Sequence, residues 1–225
     1  VTIKEIEKHC NVSIATVSNI INGKPNASKE TKERVLQAIE ELNYTPNYIA
    51  KNLKTRRTRT IGVVVEDITV FCAPEIIDGI TKCCEEKGYH ILLTNLRLYK
   101  KFGDSYYDNE KFFQMVRREV KELIAKQVDG IVYVTAHERA LKCLPENLTV
   151  PASMAYGYTK SEHYPSVVVD YKKGAYEIVN YVISMGHKNI GVITGKERSI
   201  HTHDRLLGYQ KALYDHSFFL YRWEM

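Results

Sequence analysis

The sequence lacks the features that would place it in a membrane, a secretory pathway or a metal-binding class. No apolar run approaches the roughly 20 residues that a bilayer-spanning helix requires, and the start, VTIKEIEKHC, contains no signal-peptide hydrophobic region. The five cysteines are odd in number and form no C-x-x-C pair, which disfavours a zinc site and a disulfide framework. We therefore expect a cytoplasmic protein with one or two domains in its 225 residues.

Motifs of catalysis are also missing. The stretch G-K-E-R-S at residues 195–199 is not a phosphate-binding loop, because no Ser or Thr follows Lys196. Ser199 lacks the G-x-S-x-G surroundings of a hydrolase nucleophile. His201 and His203 form an H-x-H pair without a third ligand at a suitable spacing, so we interpret them as surface histidines. The sequence predicts no catalytic residue, no metal and no cofactor, and hence a protein that is not an enzyme.

Excess positive charge is confined to the first quarter of the chain. Residues 1–60 contain eleven Lys and Arg against six Glu, whereas the remaining residues contain 21 basic and 21 acidic side chains. This asymmetry predicts a polyanionic partner for the amino-terminal segment alone. A solvated basic surface would give the same pattern.

The first 45 residues are predicted to form three short helices. A T-x-x-E capping box begins at Thr2, and Ser13 and Ser28 can cap the second and third helices. The turns between them are N-V-S at 11–13 and N-G-K-P-N at 22–26. The apolar residues expected on the buried sides are Ile3, Ile6 and Cys10, then Val17, Ile20 and Ile21, then Val35, Leu36, Ile39 and Leu42.

The outer side of the second helix has an unusual composition. It carries Ala15, Ser18 and Asn19, with Ile14 and Thr16 flanking them. A solvated helix face is usually rich in Lys and Glu, but these side chains are small, neutral and in part able to form hydrogen bonds. Such a face is suited to contact with another molecule.

After residue 60, β-branched runs alternate with amphipathic segments. We predict strands at 60–67, 89–95, 129–135, 150–157, 166–170 and 189–195, and helices at 73–88, 109–127, 171–186 and 204–216. The alternation predicts a parallel sheet with helices on both faces, whose ligands bind at the carboxyl ends of the strands. Residues 96–109 are predicted to form a long loop. The aromatic end, SFFLYRWEM, fits no element, and we expect a truncated or altered carboxyl terminus.

These patterns together resemble a known family. The motifs are V-S-x-x-T-V-S in the second helix, L-N-Y-x-P-N after the third, and T-I-G-V, P-S-V-V-V-D, M-G-H-K-N-I-G-V-I-T-G and D-R-L-L-G-Y beyond. They span nearly the whole chain up to about residue 215, and the chain resembles the lac repressor/galactose repressor family of transcription regulators. The resemblance implies a helix-turn-helix headpiece at 1–45, a hinge helix and linker at 46–60, and an α/β effector-binding domain at 61–225. That domain would have two periplasmic-binding-protein-like lobes, about 61–157 and an incomplete 158–225.

The resemblance assigns DNA contacts to the second helix, which would lie in the major groove. Ile14 and Ala15 would contact thymine methyl groups, and Asn19 would pair with an adenine. Phosphates would be bound by Ser13, Thr16 and Ser18. Helix packing of Ile14 and Ala15, and a solvated Asn19, are the alternatives.

The stretch TPNYIAKNLKTRRTR is similar to the family's hinge. By resemblance it folds when two subunits meet on DNA, and Leu53 then inserts into the minor groove as a wedge. The expected hinge residues are Asn47, Ala50, Leu53 and Lys54. Without the resemblance, this stretch would be interpreted as a flexible basic linker.

The effector site is also assigned by resemblance. Arg205 matches the family's cleft arginine, whose fork of donors binds effector hydroxyls or carboxylates. Asp67, Phe71 and Tyr156 are expected to face the same cleft, with ordinary loop or core packing as the alternative. Many family members have N-P-F-F where this chain has V-F-C-A-P.

We accordingly expect a homodimeric, sequence-specific transcription regulator that acts on a pseudo-palindromic operator. Repression is the expected mode, and a sugar or sugar phosphate is the expected effector, with no membrane partner. The alternative is a sugar-binding sensor or transport protein without specific DNA binding.

Overall fold

The computed structural model describes residues 1–45, 57–145, 147–159, 164–195 and 199–218. The chain divides into two compact units, Val1–Thr58 and Arg59–Met225. Over the described ranges, every helix is too short or too polar to cross a bilayer.

Within residues 1–45, the first unit forms three helices: α1 (Ile3–Cys10), α2 (Ile14–Ile21) and α3 (Lys29–Glu41). Their starts are as predicted. The capping box of Thr2 and Glu5 is complete, and the hydroxyl oxygens of Ser13 and Ser28 accept the N–H groups of Thr16 and Thr31, each at 3.2 Å. These caps satisfy backbone donors that a helix start otherwise leaves without partners.

The core of this unit joins one side of each helix. Its buried residues are Ile6 and Cys10, Val17 and Ile20, and Val35 and Ala38. The prediction for Leu36 is wrong, because its side chain is 45% exposed. It lies about 100° around the helix from Val35, on a side shared with Lys32 and Glu40 rather than with Ile39.

The second unit contains a five-stranded, all-parallel sheet with strand order β2-β1-β3-β5-β7. Two further strands, β4 and β6, form a separate parallel pair. The strands are β1 (Thr60–Val65), β2 (His90–Asn95), β3 (Gly130–Val134), β4 (Ala140–Leu141), β5 (Ala152–Ala155), β6 (Tyr158–Thr159) and β7 (Ser166–Val167).

Five α-helices accompany these strands within the described residues: α4 (Ala73–Glu86), α5 (Leu98–Phe102), α6 (Glu110–Ala125), α7 (Tyr171–Ser184) and α8 (Ile200–Asp215). The prediction of a loop over 96–109 is wrong, since α5 is followed by a 3-10 helix, Gly103–Asp108. Leu98 and Tyr106 are fully buried, so this segment is ordered by packing its apolar side chains into the core.

The predicted strand at 189–195 is also absent: these residues have no strand pairing in the structure. Ile193 is fully exposed there. A parallel strand requires a neighbouring strand to take its backbone hydrogen bonds, and the described part of the chain provides none beside this segment. An apolar β-branched run is therefore insufficient by itself.

Helices cover both faces of the sheet, as predicted. On β1, Val63 and Val65 pack on the α4 side, whereas Val64 belongs to the cluster that contains Phe112 and Val116 of α6. This alternation follows from the two-residue period of a strand. Because β1, β3 and β5 run parallel, the loops that follow them leave the sheet at the same edge, at the carboxyl ends of these strands.

Helices α7 and α8 form a tightly packed pair. A Cβ atom at Gly208 would lie 2.1 Å from the backbone oxygen of Lys172 and 3.0 Å from Cβ of Ala175. Only a residue without a side chain allows this approach. The crossing places the start of α8 beside the start of α7.

Candidate nucleic-acid and effector sites

Helix α2 turns its apolar side inward and leaves a small uncharged surface outside. Val17 and Ile20 are buried, whereas Ile14 is 37% exposed and Ala15 is exposed. Asn19 follows Ala15 by one helical turn and is half-buried. The outer surface thus offers two aliphatic groups and one amide, which are chemically matched to thymine methyls and to an adenine edge.

The hydroxyl groups predicted to bind phosphate already have partners within the helix. Ser13 Oγ lies 3.0 Å from Thr16 Oγ1 and caps α2. The amide of Asn22 donates to the carbonyl oxygen of Ser18 at 2.6 Å and to its hydroxyl at 3.4 Å. Asn22 was missed by the sequence analysis, which assigned it only to a turn. Ser13, Thr16 and Asn22 therefore fix the two ends of α2.

Exposed cations surround the helices of this unit: Lys4, Lys8, Lys24, Lys29, Lys32 and Arg34. They supply the charge that binding to a phosphate backbone requires. The predicted hinge residues, Asn47, Ala50, Leu53 and Lys54, lie outside the described residues.

In the second unit, the Asp67 side chain is turned into its own loop. One carboxylate oxygen accepts the Thr69 N–H at 3.1 Å and its hydroxyl at 2.7 Å, and the other accepts the Tyr99 N–H at 3.2 Å. Burial alone would raise the pKa of Asp67. These hydrogen bonds and the charge of Arg97 lower it by more, so the pKa of Asp67 is below its usual value. Asp67 therefore holds a loop at the edge of the sheet.

Phe71 lies on the same loop with its side chain 63% exposed and its backbone at φ 47°. This left-handed conformation is unfavourable for a bulky residue. Its ring centroid is 4.4 Å from that of His137, and the hydroxyl of Tyr99 is hydrogen-bonded to Nε2 of His137. The loops after β1 and β3 are thus joined by an aromatic contact that the sequence analysis did not foresee.

A buried ion pair lies below these loops. Glu66, directly after β1, is fully buried and binds Arg139 of the loop after β3. Its carboxylate also accepts the Tyr133 hydroxyl and the Ala136 N–H, each at 2.8 Å. Every carboxylate oxygen thus has two donors, which offsets the cost of burying the charge.

The buried carboxylate changes the acidity of the groups around it. Burial and then the charge of Glu66 raise the pKa of the Tyr133 hydroxyl well above its usual value. The same two causes raise the pKa of the Cys143 thiol to about 12. Burial lowers the pKa of Arg139, but the charge of Glu66 outweighs it and raises the pKa overall. Only Arg139 is charged at neutral pH in this group of three.

A second aromatic cluster brings Tyr156 and Arg205 together. The hydroxyls of Tyr156 and Tyr171 lie 2.9 Å apart, and the Arg205 guanidinium lies over the Tyr171 ring, 4.6 Å from its centroid. Burial, followed by the hydrogen bond with Tyr156, raises the pKa of Tyr171. The ring of His201 is stacked parallel to Tyr156 at 6.4 Å and lies 4.6 Å from Tyr171.

The interpretation of His201 as a surface histidine is therefore wrong. Its ring is half-buried among aromatic side chains, because helix packing at Gly208 draws the start of α8 against α7. His203 is exposed, as predicted. Two residues are enough to turn a helical side chain about 200° away, and an H-x-H pattern cannot tell which side faces inward.

A cavity of about 530 Å³ adjoins this cluster and shares Tyr171 and Arg205 with it. Its other lining residues are mainly apolar: Val169, Asp170, Gly174, Ala175, Ile178, Val179, Val182, Ile190, Gly191, Val192, Ile193 and Tyr209. The volume lies within the range of small-molecule sites. Among the described residues, no group of three or more His, Cys, Asp or Glu could hold a metal ion.

The four predicted effector residues thus fall into separate surroundings. Tyr156 and Arg205 share one cluster, Phe71 contacts His137, and Asp67 is occupied by its own loop. The sequence analysis missed His137 and Tyr171, which belong to no motif, and placed His201 at the surface. Only the buried interactions of Glu66 could have been predicted from the sequence, since an acid that directly follows a buried strand must find hydrogen-bond or ion-pair partners there.

Two family models match the chain. Residues 2–47 match "Bacterial regulatory proteins, lacI family", and residues 58–223 match "Periplasmic binding proteins and sugar binding domain of LacI family". The second match covers most of the chain.

Individual relatives point to the same family. Catabolite control protein A of Priestia megaterium is 33% identical over 95% of this chain and 61% of its own length. The transcriptional regulator RegA of Clostridium saccharobutylicum is 34% identical over 94% and 60%, respectively. The chain thus spans about 60% of the length of these curated relatives.

Solved structures share the fold. The lac repressor bound to ONPG in the repressed state gives a TM-score of 0.72 at 22% identity, covering 97% of this chain and 63% of that one. The lac repressor dimer bound to operator and the anti-inducer ONPF gives 0.70, also at 22% identity. With both family models matched along its length, the chain belongs to the LacI family of bacterial regulatory proteins.

Proposed function

We propose that this chain carries the DNA-binding and effector-binding parts of a cytoplasmic transcription repressor. The regulator acts as a homodimer on a pseudo-palindromic operator, without catalysing a reaction, and a small molecule such as a sugar or sugar phosphate controls it. The division is a headpiece at 1–45, a hinge at 46–60 and an effector-binding domain at 61–225, with lobes at about 61–157 and 158–225.

The observation that carries this proposal is the outer surface of α2. Its small neutral side chains sit on a helix whose ends are both fixed by hydrogen bonds, and the other parts of the same unit carry exposed cations. A rigid helix with a neutral reading surface and a basic surround suits major-groove recognition. In this proposal Ile14, Ala15 and Asn19 contact bases.

The phosphate contacts and the hinge complete the DNA-binding part. Ser13, Thr16 and Ser18 contact phosphates through hydroxyls that also serve the helix, since an oxygen in one hydrogen bond can still donate its proton to another acceptor. Asn47, Ala50, Leu53 and Lys54 form the minor-groove hinge, with Leu53 as the wedge. The lac repressor dimer, as solved with operator, is the precedent for this arrangement.

The effector-binding part is the carboxyl edge of the sheet together with the start of α8. Tyr156 and Arg205 are the strongest candidates, because they share one cluster beside a cavity. Phe71 is a weaker one, and Asp67 acts through its loop. Effector binding shifts the equilibrium between states that bind operator with different affinity.

A sugar-binding sensor or transport protein is the rival function. The sheet domain alone would suit it, since the matching family model includes periplasmic binding proteins. The capped three-helix unit with its match to the lacI model at 2–47 disfavours that rival.

A mobility-shift selection tests the proposal. The 225-residue chain is incubated with a pool of randomised palindromic duplexes at several salt concentrations. We expect enrichment of one sequence and an affinity that falls steeply as salt rises. Equal retention of all duplexes would leave only a basic, non-specific surface and would overturn the proposal.

A further inference from the structure

The cavity beside α7 is open to solvent along an apolar groove, whose walls are Ile178 and Val182 of the helix and Val192 and Ile193 of the segment after it. Ile178 is 57% exposed, Val192 is 42% exposed and Ile193 is fully exposed. Contiguous apolar patches are uncommon on soluble monomers and mark sites of contact. The described residues therefore leave this apolar groove without a cover.

One wall of the groove also offers unpaired backbone groups. Among the described residues, the segment 189–195 has no strand beside it. The carbonyl oxygen of Ile190 accepts the Tyr209 hydroxyl at 2.7 Å, but in the part of the chain that the structure describes, the backbone groups of Val192 and Ile193 have no hydrogen-bond partner. An unpaired β-branched run is a template for a further strand. This wall therefore suits an extended peptide segment.

The last described residue, Phe218, lies at the edge of the groove. Its backbone N–H donates to the carbonyl oxygen of Leu213 at 2.9 Å, and its half-buried side chain packs against the cluster of Val179, Ala212 and Leu213. Val179 also lines the cavity. The residues that follow Phe218 in the sequence thus start beside the uncovered apolar surface.

Residues 219–225, seven in number, have the length and the composition to cover the groove. In an extended conformation, alternate side chains face the same side. This groups Phe219, Tyr221, Trp223 and Met225 on one side, and Leu220, Arg222 and Glu224 on the other. Seven extended residues span roughly 23 Å, whereas α7 rises by only about 6 Å between Ile178 and Val182. The segment can therefore turn back after Phe218 and still run along the whole wall.

We infer that residues 219–225, the tail, dock into the apolar groove of their own chain as an extended segment beside residues 189–195. The apolar side of the tail covers Ile178 and Ile193, with Trp223 at the contact, and its charged side chains face the solvent. The proposed effector cluster lies at the start of α7 and stays outside the covered half of the groove. The inference goes beyond the proposed function and does not depend on it.

Trp223 is the single tryptophan of the sequence and therefore reports on the tail alone. Two measurements on the 225-residue chain use it: acrylamide quenching of its fluorescence, and nuclear Overhauser effects from its indole to labelled Ile and Val methyl groups. We expect quenching several-fold weaker than in a free peptide of residues 217–225, and Overhauser effects to Ile178 and Ile193. Quenching as strong as in the peptide, or an indole without effects to any groove methyl, overturns the inference.

A charge placed in the groove should release the tail. Ile178→Glu alters a side chain that is more than half exposed, so α7 should tolerate it, and we expect quenching of Trp223 to rise to the level of the free peptide. Tyr181→Glu is the matched control, since Tyr181 is 60% exposed on the same helix but does not line the groove. Equal quenching in the two variants would contradict docking at this place, and the wild-type Overhauser effects decide the question if Ile178→Glu fails to fold.

A second copy of the chain is the rival occupant of the groove. In a mixture of isotope-labelled and unlabelled chains, filtered spectra separate Overhauser effects within one chain from those between chains. We expect effects within one chain only, and quenching that does not change as the protein is diluted. Effects between chains alone, together with quenching that rises on dilution, would assign the groove to a partner copy and overturn docking of the chain's own tail.

Discussion

The guanidinium of Arg139 binds the carboxylate of Glu66 through two hydrogen bonds, Nη2 to Oε1 at 2.6 Å and Nη1 to Oε2 at 2.9 Å. The pair ties the end of β1 to the loop after β3. Arg139 also lies over the Tyr106 ring, 4.9 Å from its centroid, and so connects the 3-10 helix to the same point. One buried pair therefore organises three segments at the carboxyl edge.

Breaking this pair from one side should be costly. Glu66→Gln leaves the Arg139 charge buried without its counter-ion, and we expect the second unit to lose about 3–5 kcal/mol of unfolding free energy. The measurement is urea unfolding followed by a signal assigned to the second unit. Glu119→Gln is the control, since Glu119 pairs with Arg118 at the surface and should contribute at most about 1 kcal/mol. Equal effects of the two variants would contradict a buried pair.

The two glycines near the α7–α8 crossing should respond in opposite ways. Gly208→Ala forces a methyl group against the Lys172 carbonyl, so we expect a loss of about 1–3 kcal/mol. Gly174→Ala meets nothing within 4 Å, and its helical position should gain about 0.5–1 kcal/mol. Thermal unfolding of both variants tests the pair. A neutral Gly208→Ala would show that the crossing opens without cost.

Loss of the Asn19 amide should change specificity more than affinity for DNA in general. Asn19→Ala should relax preference at one base pair and cost about 1–3 kcal/mol on the preferred operator. Gln37→Ala removes an amide from the exposed side of α3 and is the control. Operator variants at each position provide the measurement. A uniform loss across all sequences would reduce Asn19 to a phosphate contact.

The five free cysteines should differ sharply in reactivity. Cys72 and Cys83 are exposed, whereas Cys143 is buried and its pKa is raised to about 12. At pH 8 its thiolate fraction is then on the order of 10⁻⁴, so alkylation by iodoacetamide should reach it only after unfolding. Mass spectrometry of the native chain, with Cys143→Ser to assign the peptide, checks this order. Rapid native labelling of Cys143 would contradict the buried network.

The features that could be predicted from the sequence depend on residues close to one another in the chain. The caps at Ser13 and Ser28 follow from a hydroxyl placed three residues before a backbone N–H, and the strand β1 from a continuous β-branched run. Helices on both faces followed from the alternation of segments. Each of these inferences uses neighbours within a few positions of one another.

What could not be predicted depended on distant partners. Glu66 and Arg139 are 73 residues apart, and no spacing rule connects them. Residues 189–195 have the composition of a strand but lack a described strand beside them. His201 faces inward because Gly208 permits a close helix crossing, which an H-x-H pattern does not reveal.

The residues that stabilise α2 differ from those on its outer surface that are proposed to contact bases. Ser13 with Thr16 at one end and Asn22 at the other hold the helix in place, while its buried side anchors it to the core. Within the described residues, the side chains of Ile14, Ala15 and Asn19 take no part in these hydrogen bonds. If the proposed function holds, exchanging these few surface residues changes operator preference while the fold of the three-helix unit is retained.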